Sequence, residues 1–137
     1  MPFSAWLKDV SDAVLNRVDQ YKNKDFANAT IAIAAGVTAA DGEVNEKEKE
    51  ATATAIANNS GLKAFKTIDL ITQYNAHLDI FEANPYLGKL EITKVIKKLK
   101  PTDQREAALV IGIMIAAIDD NLHENEVAFL REVCDWY

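Results

Sequence analysis

The chain has 137 residues, enough for one domain with a real core and too few for two. Hydrophobic residues make up 49% and charged residues 26%, which excludes a disordered chain. The net charge of −6 excludes a general nucleic-acid binder, which needs a basic footprint against phosphates, and leaves room for cations and basic partners.

With 5 Gly and 3 Pro there is little material for tight turns, and Ala, Lys and Glu are plentiful, so an all-α fold is expected over a single domain, 1–137. The one cysteine, Cys134, allows no intrachain disulfide and is expected in the core or an interface. Lys8, Asp9 and Asp12 exclude a signal peptide at the N-terminus. The longest apolar run, 107–118, falls well short of the roughly 20 residues that span a bilayer. A soluble, cytoplasmic protein with no direct membrane insertion is the expectation.

Ser4 can cap a first helix over 4–22, with Phe3, Leu7, Val10, Val14, Val18 and Tyr21 as its apolar stripe. Residues 23–25 break it. A second helix, 26–40, is apolar all round at Ile31-Ala32-Ile33-Ala34-Ala35-Gly36-Val37, so it should be buried on most sides. An acidic turn follows, and Asn45 can cap a third helix to Asn58 that packs on one side through Ala51, Ala53, Ala55 and Ile56. After a short helical piece over 62–66, Thr67 is expected to cap a fourth helix to Ala83, with Ile71, Tyr74, Leu78 and Phe81 inward and His77 at the surface or boundary.

Asn84-Pro85 opens a fifth helix that must end before Pro101, buried along Ile92, Val95, Ile96 and Leu99. Lys94, Lys97, Lys98 and Lys100 crowd its end, where they either complement the helix dipole or form a dock for an acidic partner. A sixth helix, 102–118, is the counterpart of the second. A second acidic turn leads to a seventh helix, 124–137, with Val127, Leu130, Val133 and Trp136 or Tyr137 as its stripe. The sketch is a compact bundle of about seven helices in which helix, acidic turn and helix occur twice, an internal pseudo-repeat.

Asp41 and Glu48 in the first turn match Asp119 and Glu126 in the second, at equal spacing. Asp41 and Asp119 each stand at the C-terminal end of a buried helix, where a carboxylate is disfavoured by a few tenths to about 1 kcal/mol. Glu43 and Glu46 add charge to one turn, Asp120 and Glu124 to the other. A divalent cation would offset this repulsion, because carboxylates and helix-end carbonyls are hard oxygen ligands suited to Ca²⁺, Mg²⁺ or Mn²⁺. His123 could admit Zn²⁺ on one side, although a solvated turn histidine is the simpler reading. The alternative is that Asp41 makes an Asx turn and the first-turn acids merely favour their helices. Neither turn is an EF-hand: counting from Asp41, Glu46 stands in the glycine position and Thr52 in the bidentate glutamate position. There is no catalytic triad spacing and no Gly-rich phosphate loop, so an enzyme is not expected.

Ala39-Ala40-Asp41-Gly42-Glu43-Val44 leading to Glu48, with Asp119-Asp120-Asn121-Leu122 leading to Glu126 and the segment 22–26 before the buried helix, resembles the tellurite-resistance TerB family over nearly the whole chain. The resemblance implies an all-helical, cytoplasmic bacterial protein of the tellurium and stress-resistance system. It also implies acidic residues that bind divalent metal and association with a membrane-protein partner of the TerC type. The family residues carry over to Asp41, Gly42 and Glu48 and to Asp119 and Glu126. Asp120 stands where the family has glycine, adding a potential ligand but giving up the easy positive φ of that turn. Two readings follow: a non-enzymatic cation-binding protein with Asp41, Glu48, Asp119, Asp120 and Glu126 as ligands, or a metal-independent protein-interaction scaffold with acidic and basic faces.

Overall fold

Asn23, placed by the sequence in a break, turns out to be a cap: its side chain accepts from Phe26 N at 2.9 Å and starts the first described helix. The computed structural model of the protein describes residues 21–40, 46–116 and 124–137. The expected N-terminal helix lies outside them except for Tyr21, and so do 41–45 and 117–123 of the two acidic turns. The described residues form six α-helices and no strand: α1 Lys24–Ala39, α2 Glu46–Asn58, α3 Thr67–Ala83, α4 Pro85–Lys98, α5 Thr102–Ala116 and α6 Glu124–Trp136. A 3₁₀ turn, Ser60–Leu62, comes slightly earlier than the helical piece expected over 62–66.

Helix α1 is the centre. Every residue from Ala29 to Thr38 is buried, and α5, α4, α3 and α6 pack around it. Its two buried hydroxyls are satisfied within the helix: Thr30 donates to Phe26 O at 2.8 Å and Thr38 to Ala34 O at 3.0 Å. Small residues set the crossings. A Cβ on Gly112 of α5 would lie 2.7 Å from Ile33 Cγ2 and 3.2 Å from Thr30 O, so α5 reaches the α1 backbone only because that atom is missing. On another side of α1, Gly36 receives the Phe129 ring of α6 and Ile92 of α4.

Asn84 and Pro85 start α4 as expected, Asn84 accepting from Leu87 N at 3.2 Å. The helix ends at Lys98, before Pro101. Ile92, Ile96 and Leu99 are buried and Val95 half-buried.

Four expectations need correction, in whole or in part. The cap of α3 is Lys66, whose side chain makes no cap bond; Thr67 is already helical. The buried face of α6 is Glu126, Phe129, Leu130 and Val133, so the stripe is rotated away from Val127, because the Phe129 ring occupies the space above Gly36. Cys134, one residue past that face, is exposed, which removes the core from its two expected environments. In α2 the buried residues are Ile56, as expected, and Thr52, which was not; Ala53 and Ala55 are half-buried and Ala51 is exposed.

The C-terminal end is pinned by Tyr137. Its hydroxyl donates to Ile96 O at 2.8 Å and its ring lies 4.9 Å from the Arg105 guanidinium. Arg105 Nε also donates to Leu99 O at 2.7 Å, tying the α4–α5 connection to the same point.

Candidate functional site

The described segments that flank one end of each acidic turn share a groove. Ala39 and Ala40, which lead into the first turn, and Asn125, which follows the second, line the same groove of about 290 Å³. Its floor is Gly36, Phe129 and Ala128, and Phe81 and Pro85 close it from the α3–α4 junction. At its edge Lys89 Nζ meets Glu132 at 2.9 and 3.1 Å, joining α4 to α6. Both side chains are about half exposed, so the pair orients the groove wall more than it stabilises the fold.

Below the first turn lies a hydroxyl network that the sequence reading did not single out. Tyr74 of α3 is fully buried and its OH donates to Thr38 Oγ1 at 2.9 Å. Thr52, one helical turn after Glu48, also hydrogen-bonds this phenol. Burial pushes the phenol's pKa up against the two threonine hydroxyls, and the Glu48 carboxylate raises it further, so Glu48 stands within electrostatic reach of the network. The end of α1, the middle of α2 and the middle of α3 are thus joined by polar contacts in an otherwise apolar core. The signal available in the sequence was weak: a threonine three residues before Asp41 and another four after Glu48.

Lys49 holds α2 on α3. It lies 3.1 Å from Glu82 and 3.7 Å from Glu46, and its pKa is raised, chiefly by the hydrogen bond with Glu82. Its neighbour Glu48 is exposed in the first turn of α2, whereas Glu126, its match in α6, is only 9% exposed. The two matched glutamates therefore occupy different environments. Asp41, Asp119 and Asp120 lie outside the described residues. Among the described residues no three His, Cys, Asp or Glu side chains are grouped closely enough to hold a metal ion. Glu48 and Glu126 are the only members of the expected ligand set whose positions are described; each has the hard-oxygen chemistry required and neither forms a site by itself.

His77 is half-buried and its Nε2 is enclosed without a hydrogen-bond partner. Burial lowers its pKa against the pull of Glu91. In the basic cluster, Lys97 lies 5.3 Å from the centre of the Trp136 ring and Lys98 3.8 Å from Asp25, while Lys94 and Lys100 are exposed.

Fold and groove together define a class: an all-helical domain built on one buried helix, in which the segment before one acidic turn and the segment after the other line one cleft. Within that class, the chain belongs to the tellurite resistance protein TerB family, whose family model matches residues 27–136. A tellurium resistance protein TerB from Alcaligenes sp is 33% identical over 105 residues, covering 74% of this chain and 84% of that protein. No solved structure matches. None of the described helices is long and apolar enough to cross a membrane.

Proposed function

We propose that this TerB-family protein is a non-enzymatic component of a tellurite-resistance and stress-response system that binds a divalent cation through its two acidic turns. The observation that supports the reading is the shared groove: Ala39 and Ala40, before the first turn, and Asn125, after the second, line one cleft. Element boundaries support it. The shift that carries Asp41 onto Asp119 and Glu48 onto Glu126 also carries Lys24, the start of α1, onto Thr102, the start of α5. It carries both ends of α2, Glu46 and Asn58, onto both ends of α6, Glu124 and Trp136. On this reading the fold contains the same unit twice and uses both copies for one ion site. Asp41, Glu48, Asp119, Asp120 and Glu126 are its ligands, with Ca²⁺, Mg²⁺, Mn²⁺ or Zn²⁺ as the ion. The protein works in the cytoplasm, with a membrane-protein partner of the TerC type.

The test is a thermal-melt series of chelated protein with each ion, repeated on the Asp41→Asn/Asp119→Asn variant. An ion binding only the folded state at about 100 times its dissociation constant adds roughly 2.7 kcal/mol. An ion-selective rise that disappears in the double variant is expected. A rise that survives in the variant, or no rise with any ion, overturns the reading in favour of a metal-independent scaffold.

A further inference from the structure

Helix α4 presents a second feature, on the face turned away from α1. Its buried residues are Gly88, Ile92 and Ile96. The opposite face carries Tyr86, 75% exposed, with Leu87 and Leu90, each 46% exposed. Tyr86 and Leu90 are one turn apart, as are Leu87 and Leu90, so the three form one apolar patch on the first turns of the helix. The same face continues through Lys94, Lys97 and Lys98, all exposed, and Lys100 follows just beyond the helix end. Tyr86 to Lys98 spans about 18 Å along the axis. Among the described residues only Lys98 of the four makes an ion pair, with Asp25 at 3.8 Å, and Lys97 rests on Trp136; neither Lys94 nor Lys100 is paired with an acidic side chain there. Helix-dipole complementation accounts for lysines in the last turn but not for exposed tyrosine and leucines in the first.

We propose that the outward face of α4, from Tyr86 to Lys100, docks an acidic amphipathic segment of a partner protein, with the partner's apolar side chains on Tyr86, Leu87 and Leu90 and its carboxylates on Lys94, Lys97, Lys98 and Lys100. This rests on different residues from the cation reading and stands or falls separately. Charge complementarity selects the occupant: a concentrated basic stripe on a chain of net charge −6 is matched by an acidic partner segment. The arrangement of the face selects a protein segment over an anionic bilayer. A helix lying in a membrane interface is apolar along its whole buried side with lysines on its polar side. Here apolar and basic parts follow one another along the axis on the same side, so an elongated segment meets both and a flat surface does not.

The experiment selects displayed random peptides of about 15 residues, long enough to cover the face, on the full chain. Enriched peptides are then titrated by fluorescence anisotropy against wild type, Tyr86→Ser/Leu90→Ser and Lys94→Glu/Lys97→Glu, each variant first shown by thermal melting to fold. Lys94→Gln/Lys97→Gln serves as a milder charge variant. Enriched sequences should combine Asp or Glu with Leu, Phe or Trp. Their affinity should fall by roughly tenfold or more in the apolar and the charge-reversal variants, the scale of a lost interface anchor. Affinity for wild type should also drop as salt rises. No enrichment, or peptides indifferent to both variants, overturns the proposal. Co-sedimentation with vesicles of phosphatidylcholine and phosphatidylglycerol that is lost in the same variants overturns it in favour of a lipid surface. Concentration-dependent dimerisation lost in those variants overturns it in favour of a second copy of this chain.

Discussion

Two glycines on opposite sides of the problem make a sharp comparison. Replacing either by alanine raises helix propensity by about 1 kcal/mol, and each lies inside a helix against a neighbour. At Gly112 the added Cβ would sit 2.7 Å from Ile33 Cγ2, 2.9 Å from Ile33 Cβ and 3.2 Å from Thr30 O. A backbone carbonyl and a β-carbon move only if α1 and α5 separate, and α1 is enclosed by four helices. Overpacking of this kind costs about 1–3 kcal/mol, and the stiffness of these neighbours places Gly112→Ala at the upper end. After the propensity gain, a loss of about 2 kcal/mol remains, or about 7 °C in Tm for a chain of this length. At Gly36 the added Cβ meets the far edge of the Phe129 ring, which borders the groove and can turn into it, and the far end of the Ile92 side chain, Cδ1. Gly36→Ala should therefore lose less than half as much. Far-UV circular dichroism melts of wild type and both variants decide the matter. A Gly112→Ala protein that melts at or above the wild-type temperature, or below Gly36→Ala in effect, refutes the packing account of the α1–α5 crossing.

Tyr74→Phe should cost about 1–2 kcal/mol in urea titration, because Thr38 and Thr52 lose a buried partner. The raised pKa of Tyr74 means its contribution is whole below the ordinary value of 10.0 and fades as pH climbs past it, so wild type should lose stability above about pH 10 more steeply than Tyr74→Phe. The lowered pKa of His77 works in the opposite sense. The unfolded state takes up the proton first, so stability should fall as pH drops below the ordinary value of 6.5, and melts of His77→Phe between about pH 7 and pH 5 should show a shallower fall. Asn84→Ala removes the acceptor for Leu87 N and should cost about 1 kcal/mol, readable as a lowered urea midpoint with an unchanged slope.

The helices themselves were legible in the sequence because local chemistry sets them. The apolar run at 29–38 marks a helix buried all round, and Asn84-Pro85 and Pro101 bracket α4 as sequence rules require. What escaped is what depends on a neighbour. Val127 and Phe129 are both apolar, and only the absence of a side chain at Gly36 decides that Phe129 turns inward. Thr52 looks like a polar spacer among alanines until the Tyr74 hydroxyl stands opposite it. Of the expected site, the equal spacing of Asp41–Glu48 and Asp119–Glu126 was visible, but not that Glu48 would be exposed and Glu126 enclosed. That difference comes from helix rotation, which a single chain's periodicity specifies only loosely.

The burial of α1 has a dynamic consequence. Its amides lie beneath four helices, so their exchange with solvent should require opening of the whole domain, whereas α2 is anchored by Thr52, Ile56 and the Lys49 contacts and can detach by itself at smaller cost. The first acidic turn joins these two extremes, the slowest segment to its faster neighbour. Anything that clasped Asp41 and Glu48 together would leave α1 unchanged and slow exchange in α2, turning a loosely attached outer helix into part of the last structure to unfold.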